Sequence, residues 1–304
     1  MIPNVLKKCL LATVFLGSQF WVSAQPVAGR IVLLQNFPSA YVAPRNIAVW
    51  LPTGYDPHKK YAVIYLQDGQ MLFDSAKTWN LQAWHIDRTL TFLQQQKRIR
   101  DCIAIGIWNN GNYRASEYFP QKALAYLPGG TNAELRKIMS DTALADNYLR
   151  FMVYELKPYI DAHYSTLPDQ RNTFVMGSSF GGLIALYAIC EYPHIFYGAG
   201  CLSTHWTGLF RADRNPVPDA IFSYLRKNIP DPENHRIYFD HGTKTLDSLY
   251  GPFQQKVDTL FHQNGYHAKN FLSKIYPGED HTEVSWGKRF RIPVIFLLGT
   301  GRNR

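Results

Sequence analysis

Residues 177–182 read Gly-Ser-Ser-Phe-Gly-Gly and follow the apolar run Thr173-Phe174-Val175-Met176. Ser179 is therefore the centre of a Gly-x-Ser-x-Gly turn between a strand-like segment and the helix-like segment Leu183-Ile184-Ala185-Leu186-Tyr187-Ala188-Ile189-Cys190. A serine on so sharp a turn is held in strained backbone, and glycine neighbours let strand and helix close around it. A solvated Gly/Ser loop is the plainer alternative, but such loops are rarely flanked by two runs this apolar.

A serine hydroxyl attacks a carbonyl carbon only when a base takes its proton, so an imidazole is needed. His281 is the best placed. It follows the strand-like run Phe271–Ile275 across the turn Pro277-Gly278-Glu279-Asp280 and precedes a final helix. His241, at another strand end, is second; His205 is third and reads better as a pocket residue. An acid must hold the other imidazole nitrogen. After the strand Arg236–Asp240 the chain reads His241-Gly242-Thr243-Lys244-Thr245-Leu246-Asp247, which offers Asp247 on the loop and Asp240 at the strand end. Asp247 is favoured; its plainer reading is a helix cap, and that of Asp240 a turn anchor. Developing negative charge needs two backbone N–H donors. Phe180, directly after the nucleophile, supplies one. Gln70, in the turn Asp68-Gly69-Gln70, supplies the other, with Gly69 permitting close approach. No HExxH pattern or cysteine–histidine spacing suggests a metal, and no cofactor is expected.

The elements that must carry these residues are legible as strand-like runs separated by helical stretches. The runs are Arg30–Leu34, Ile47–Leu51, Ala62–Leu66, Cys102–Trp108, Thr173–Gly177, Gly198–Leu202, Arg236–Asp240 and Phe271–Ile275. Leu144, Tyr148, Leu149, Met152, Leu156, Tyr159 and Ile160 share one helical face, with Pro158 expected to kink it. Phe253, Val257, Leu260 and Phe261 form another face, stopped by Gly265. Alternation of this kind predicts an α/β fold: a mostly parallel central sheet of about eight strands with helices on both faces. The irregular stretch Asn109 to Asp141 reads as an insertion over the carboxyl edge of the sheet, where ligands bind.

The chain has 304 residues and a formal charge of +9. Residues 1–24 read as a secretory signal: Lys7 and Lys8, an apolar stretch from Cys9 to Val22, then Val22-Ser23-Ala24 before a cleavage expected ahead of Gln25. Residues 25–304 then form one domain, secreted or periplasmic, with no stable membrane insertion after cleavage. An uncleaved anchor is the alternative. The cations are scattered, with no run longer than two. That pattern excludes a nucleic-acid site, which would cluster them with aromatics, and leaves a general surface basicity that suits anionic polymers. Cys102, Cys190 and Cys201 are too few for a disulfide scaffold; they read as buried thiols, or as one Cys190–Cys201 bridge.

With those residues assembled, the chain resembles the putative-esterase family of α/β hydrolases, which includes feruloyl, acetylxylan and enterochelin esterases, S-formylglutathione hydrolases and mycolyltransferases. The resemblance runs from about Gly29 to Leu298. It rests on Tyr65-Leu66-Gln67-Asp68-Gly69-Gln70 with Leu72-Phe73-Asp74, on Glu117-Tyr118-Phe119-Pro120, and on Glu155-Leu156-Lys157-Pro158-Tyr159-Ile160-Asp161. The elbow at Ser179, Leu202-Ser203-Thr204-His205-Trp206, and Asp280-His281-Thr282-Glu283 with Trp286 and Arg289 complete it. The resemblance implies an α/β-hydrolase fold, Ser179 as nucleophile, His281 as base, and a substrate side lined by Trp206 and by Trp108 to Arg114, with His205 a further pocket residue. It implies a cofactor-free serine carboxylic-ester hydrolase acting on a small-molecule or saccharide ester, of a sugar, polyol or aromatic acid rather than a long-chain lipid. An acyltransferase on the same three residues, or a binding module that keeps the fold without the chemistry, are the competing readings.

Overall fold

The computed structural model describes residues 28–129, 133–140 and 142–301. The expected signal segment, with its cleavage point, lies outside them. Eight strands form one sheet: β1 (Arg30–Phe37), β2 (Arg45–Leu51), β3 (Ala62–Leu66), β4 (Cys102–Ile107), β5 (Thr173–Ser178), β6 (Gly198–Leu202), β7 (Arg236–Gly242) and β8 (Phe271–Tyr276). Their spatial order is β1-β2-β4-β3-β5-β6-β7-β8. The first two strands pair antiparallel and β2 runs antiparallel to β4; all other pairings are parallel. Every expected strand is present, most of them extended by a residue or more. The fourth is the exception: it stops at Ile107, where the Trp108 N–H turns to the Asn46 carbonyl at 3.1 Å.

The helices are α1 (Ile86–Gln95), α2 (Arg114–Tyr118), α3 (Ala133–Ile138), α4 (Ala145–Arg150), α5 (Lys157–His163), α6 (Phe180–Glu191), α7 (Val217–Asn228), α8 (Gly251–Gln263), α9 (Glu283–Arg289) and α10 (Arg291–Leu298). Side chains alternate across each strand. Val63 and Tyr65 of β3, with Val175 of β5, face a core that takes Tyr148 from α4, Leu183 from α6, Ile221 from α7 and Val257 from α8. Ile64, Leu66, Phe174 and Met176 face the opposite core, with Leu90 from α1, Trp286 from α9 and Leu297 from α10. Both faces are thus covered, which is why the inner strands are continuously apolar. The helix α6 is apolar on every side and lies buried along almost its whole length.

Among the described residues no helix is long and apolar enough to cross a membrane. The expected kink at Pro158 takes a different form. Between α4 and α5 the chain makes a π turn, Phe151–Leu156, in which the Lys157 N–H reaches back to the Met152 carbonyl. A wider turn accommodates the proline, which has no N–H to offer. Among the described residues the cysteines, Cys102, Cys190 and Cys201, are free and buried, so the alternative of a Cys190–Cys201 bridge is not what the structure contains. Burial pushes each thiol up, away from reactive thiolate.

Candidate active site

The turn from β5 into α6 puts Ser179 at φ 59°, ψ −125°, a conformation a side-chain-bearing residue rarely adopts. The Ser179 N–H donates to the Leu202 carbonyl (2.9 Å), and the Ser179 carbonyl accepts from the His205 N–H (3.2 Å). These bonds fix the backbone from β6. A Cβ at Gly177 would come within 2.5 Å of the Gly181 carbonyl oxygen, so glycine is required for β5 and α6 to meet.

His281 occupies the loop between β8 and α9, whose first turn is capped by the Thr282 hydroxyl accepting from the Ser285 N–H. Its Nε2 stands 2.9 Å from Ser179 Oγ and its Nδ1 2.6 Å from Asp247 Oδ1. A carboxylate cannot donate, so Nδ1 carries the proton and Nε2 is left to accept from the serine. The His281 loop is tied to the Asp247 loop as well, by the His281 N–H donating to Thr245 Oγ1 at 2.9 Å. Trp286 packs edge-on to the imidazole, with ring centres 4.9 Å apart.

Asp247 is fully buried. Its Oδ2 accepts from the Gly242 N–H at 2.5 Å and from Ser203 Oγ at 2.6 Å. Burial alone would raise its pKa. The hydrogen bond and charge of His281, with the Ser203 and Gly242 bonds, hold it below the ordinary carboxylate value. Asp240, the other candidate acid, does not reach His281. It takes Arg289 Nε at 3.1 Å and Nη2 at 3.0 Å, and the Tyr238 hydroxyl at 2.8 Å. Burial raises its pKa despite Arg289. The two carboxylates are linked through Ser203, whose hydroxyl donates to Asp247 and accepts from Arg289 Nη2 (2.8 Å) and Trp286 Nε1 (2.9 Å).

The turn after β3 begins with Asp68 in the left-handed region, φ 56°, ψ 46°. Arg114 grips its carboxylate with Nε and Nη2, each at 2.7 Å, and Asn109 Nδ2 adds a third bond at 2.7 Å. The turn lies against the start of α6: a Cβ at Gly181 would sit 3.3 Å from Asp68 Oδ2. Gly69 is pressed onto the Gly106 backbone of β4, where a Cβ would clash outright. Gln70 lines the cleft. Phe180 opens α6, so its N–H belongs to the set that a helix start leaves without an intrahelical acceptor.

Above these residues is an open cleft of about 500 Å³ that reaches Ser179 and His281. Of the expected pocket residues, Arg114 lines it. Trp108 is half-buried beside it, its indole nitrogen buried without a partner. His205 is fully enclosed behind Ser179, Nδ1 at 2.6 Å from the Tyr250 hydroxyl, and burial drives its pKa down to about 3. Trp206 corrects the expectation most clearly. It is 0 % exposed, packs on Phe222 and Phe239, and donates to Gln254 Oε1 at 2.9 Å, so it is a core side chain and lines no substrate surface. The wall that sequence reasoning missed is Trp79, Asn80, Gln82 and Trp84, with Glu283 facing them. The available signal was two indoles in the run Trp79-Asn80-Leu81-Gln82-Ala83-Trp84, which alternates with a strand's period yet forms no strand. Among the described residues no cluster of histidine, cysteine or acidic side chains is placed to hold a metal ion.

The family described as "Putative esterase" matches residues 39–291. The uncharacterized protein YbbA of Bacillus subtilis is 27 % identical over 268 residues, covering 85 % of this chain and 94 % of its own. The IroE-like serine hydrolase of Shewanella oneidensis superposes with a TM-score of 0.64 at 23 % identity, covering 88 % of this chain and 78 % of that one. A CE1 ferulic acid esterase of Anaeromyces mucronatus, in complex with ferulic acid, superposes with a TM-score of 0.57 at 18 % identity, covering 88 % of this chain and 92 % of that one. At these identities the superpositions establish the α/β-hydrolase fold.

Proposed function

Because this chain belongs to the putative-esterase family and is an esterase of α/β-hydrolase fold, we propose that it hydrolyses carboxylic esters through Ser179, His281 and Asp247. The observation that carries the reading is the continuous relay from Ser179 Oγ through the imidazole to Asp247, at 2.9 and 2.6 Å. His281 Nε2 takes the serine proton as Oγ bonds to the ester carbonyl carbon. The carbonyl oxygen becomes an oxyanion and is met by the Gln70 and Phe180 N–H groups. The tetrahedral species collapses: the C–O bond to the alcohol breaks, and His281 returns the proton to the departing oxygen. A water, deprotonated by His281, then attacks the acyl-serine, and the acid leaves with Oγ reprotonated. Asp247 stays ionised throughout and steadies the imidazolium.

The acyl and alcohol groups are those of sugar, polyol or aromatic-acid esters. A cleft that sets Asn109, Arg114, Asn80 and Glu283 among its indole rings supports this reading, since a long hydrocarbon chain would desolvate those polar groups without pairing them. The ferulic acid complex on the same fold supports it too. Residues 1–24 direct export, and N-terminal sequencing of protein exported from a bacterial host should begin at or near Gln25. A serine-directed phosphonate should label the protein and fail to label Ser179→Ala. Retained labelling, or a higher kcat/KM for a dodecanoyl ester than for acetyl and feruloyl esters, would overturn the nucleophile and the substrate class respectively.

A further inference from the structure

The cleft has two sides, and the chemistry assigns them. If Ser179 is the nucleophile, as proposed above, the oxygen that leaves must lie where His281 Nε2 can protonate it. The alcohol half of the ester therefore sits on the His281 side, and the carbonyl oxygen on the side of Gln70 and Phe180. The wall on the His281 side is built by Glu283, two residues past the base, and by Trp79 and Asn80 from the segment between β3 and α1.

Trp79 lines this wall with 85 % of its surface in water. Its neighbours are pinned. Asn80 Nδ2 donates to Glu283 Oε2 at 2.8 Å, across 203 residues of sequence, while its Oδ1 accepts from the Gln82 N–H at 3.1 Å. The Thr78 hydroxyl on the other side donates to the Ser75 carbonyl at 2.9 Å. An indole on a fixed pedestal, turned into a catalytic cleft and covered by nothing, is a flat apolar face awaiting another. Glu283 uses Oε2 for Asn80, and among the described residues no hydrogen bond reaches Oε1, although the Arg114 guanidinium feels the charge of this carboxylate.

We propose that Trp79 is the platform on which the alcohol half of the ester stacks, and that Glu283 Oε1 accepts a hydrogen bond from a hydroxyl of that alcohol. The ligand these groups fit is a neutral hydroxylated ring, which offers a C–H face to the indole and a hydroxyl edge to the carboxylate. An alcohol that itself carries a carboxylate is repelled by Glu283. Trp79 and Glu283 act on formation of the acyl-enzyme alone, because the alcohol has left before water attacks.

The test holds the acyl group constant, as acetate, and varies the alcohol: a pyranose, methanol, and glycolate. In the unaltered protein kcat/KM should rank the pyranose ester first and the glycolate ester last. Trp79→Ala should lower the pyranose-to-methyl ratio about tenfold, and Trp79→Phe should restore most of it. Glu283→Gln should raise the glycolate-to-methyl ratio at least about threefold by removing the repelling charge. An unchanged pyranose ratio in Trp79→Ala, with Ser179 still required for turnover, overturns the platform and leaves the nucleophile standing. Full turnover of all three esters by Ser179→Ala overturns the nucleophile itself. An unchanged glycolate ratio in Glu283→Gln overturns the role of the carboxylate.

Discussion

At the floor of the cleft Asp247 is wholly buried and receives hydrogen bonds from His281, Ser203 and the Gly242 N–H. At the rim Trp79 and Leu81 leave 85 % and 73 % of their surfaces in water, and one side-chain bond, Asn80 to Glu283, ties their segment to the start of α9. The carboxylate at the floor is over-determined: remove either bond to Asp247 Oδ2 and the other still holds the group that aims the imidazole. The rim is held in place but not filled. Proton transfer tolerates little positional error, whereas recognition of a ligand face requires that face to be vacant beforehand. The difference in burial is therefore a difference in task.

The largest test of the comparison lies at the floor. Ser179→Ala should reduce kcat on the order of 10⁵-fold with the melting temperature little changed, since alanine keeps the Cβ and the same backbone strain. Asp247→Asn should follow, with a loss of about 10³- to 10⁴-fold in kcat. Asp240→Asn separates aim from support. It leaves the buried Arg289 guanidinium short of its carboxylate, so denaturation should show a stability loss of about 3 kcal/mol, with a smaller effect on kcat than Asp247→Asn. A larger kcat effect at Asp240 in folded protein would move the acid there.

Acid should weaken the floor in a defined window. The folded pKa of His205 is lowered to about 3 from 6.5. The unfolded chain binds a proton below pH 6.5 that the folded chain refuses, so stability is full above that pH and falls as pH drops toward 3. Asp247 is also depressed, so its contribution is present above its unfolded value and is lost only as pH falls below it. His205→Phe should flatten the decline in urea midpoint between pH 6.5 and 4, by up to about 1.4 kcal/mol per pH unit. The smallest effect belongs to the rim. Leu81, at φ 56°, should accept glycine with a stability change within about 1 kcal/mol. A loss beyond that would mean the rim is packed after all.

Much of this was readable in the chain. The inner strands β3, β4, β5 and β6 are buried on both faces and read as nearly unbroken apolar runs, whereas the edge strands β1 and β8 are partly exposed and read as shorter ones; a strand-turn-helix elbow is local enough to be seen as one word. Ser179, His281 and Asp247 follow from chain order and loop position, and their convergence is visible in the coordinates alone. Burial was the quantity sequence could not supply. Trp206 and Trp79 are both indoles in loops, yet one is enclosed by α7 and α8 side chains while the other faces solvent. That difference depends on helices that begin 11 and 45 residues after Trp206. Pro158 was legible as a disturbance, but its absorption by a π turn over Phe151–Leu156, upstream of the proline itself, has no signature in residue type.

The position of Arg289 and His281 late in the chain has a consequence for biosynthesis. Ser179 and the base it needs are separated by 102 residues, and the guanidinium that steadies Ser203 and Asp240 follows eight residues after that base. A ribosome delivers the nucleophile elbow long before the loop that activates it. With translation at roughly 5–20 residues per second, the growing chain carries an inert serine for several seconds. If Ser179 and His281 act as proposed, ester cleavage begins only when α9 has docked, so the onset of activity during refolding would time the docking of the C-terminal helices.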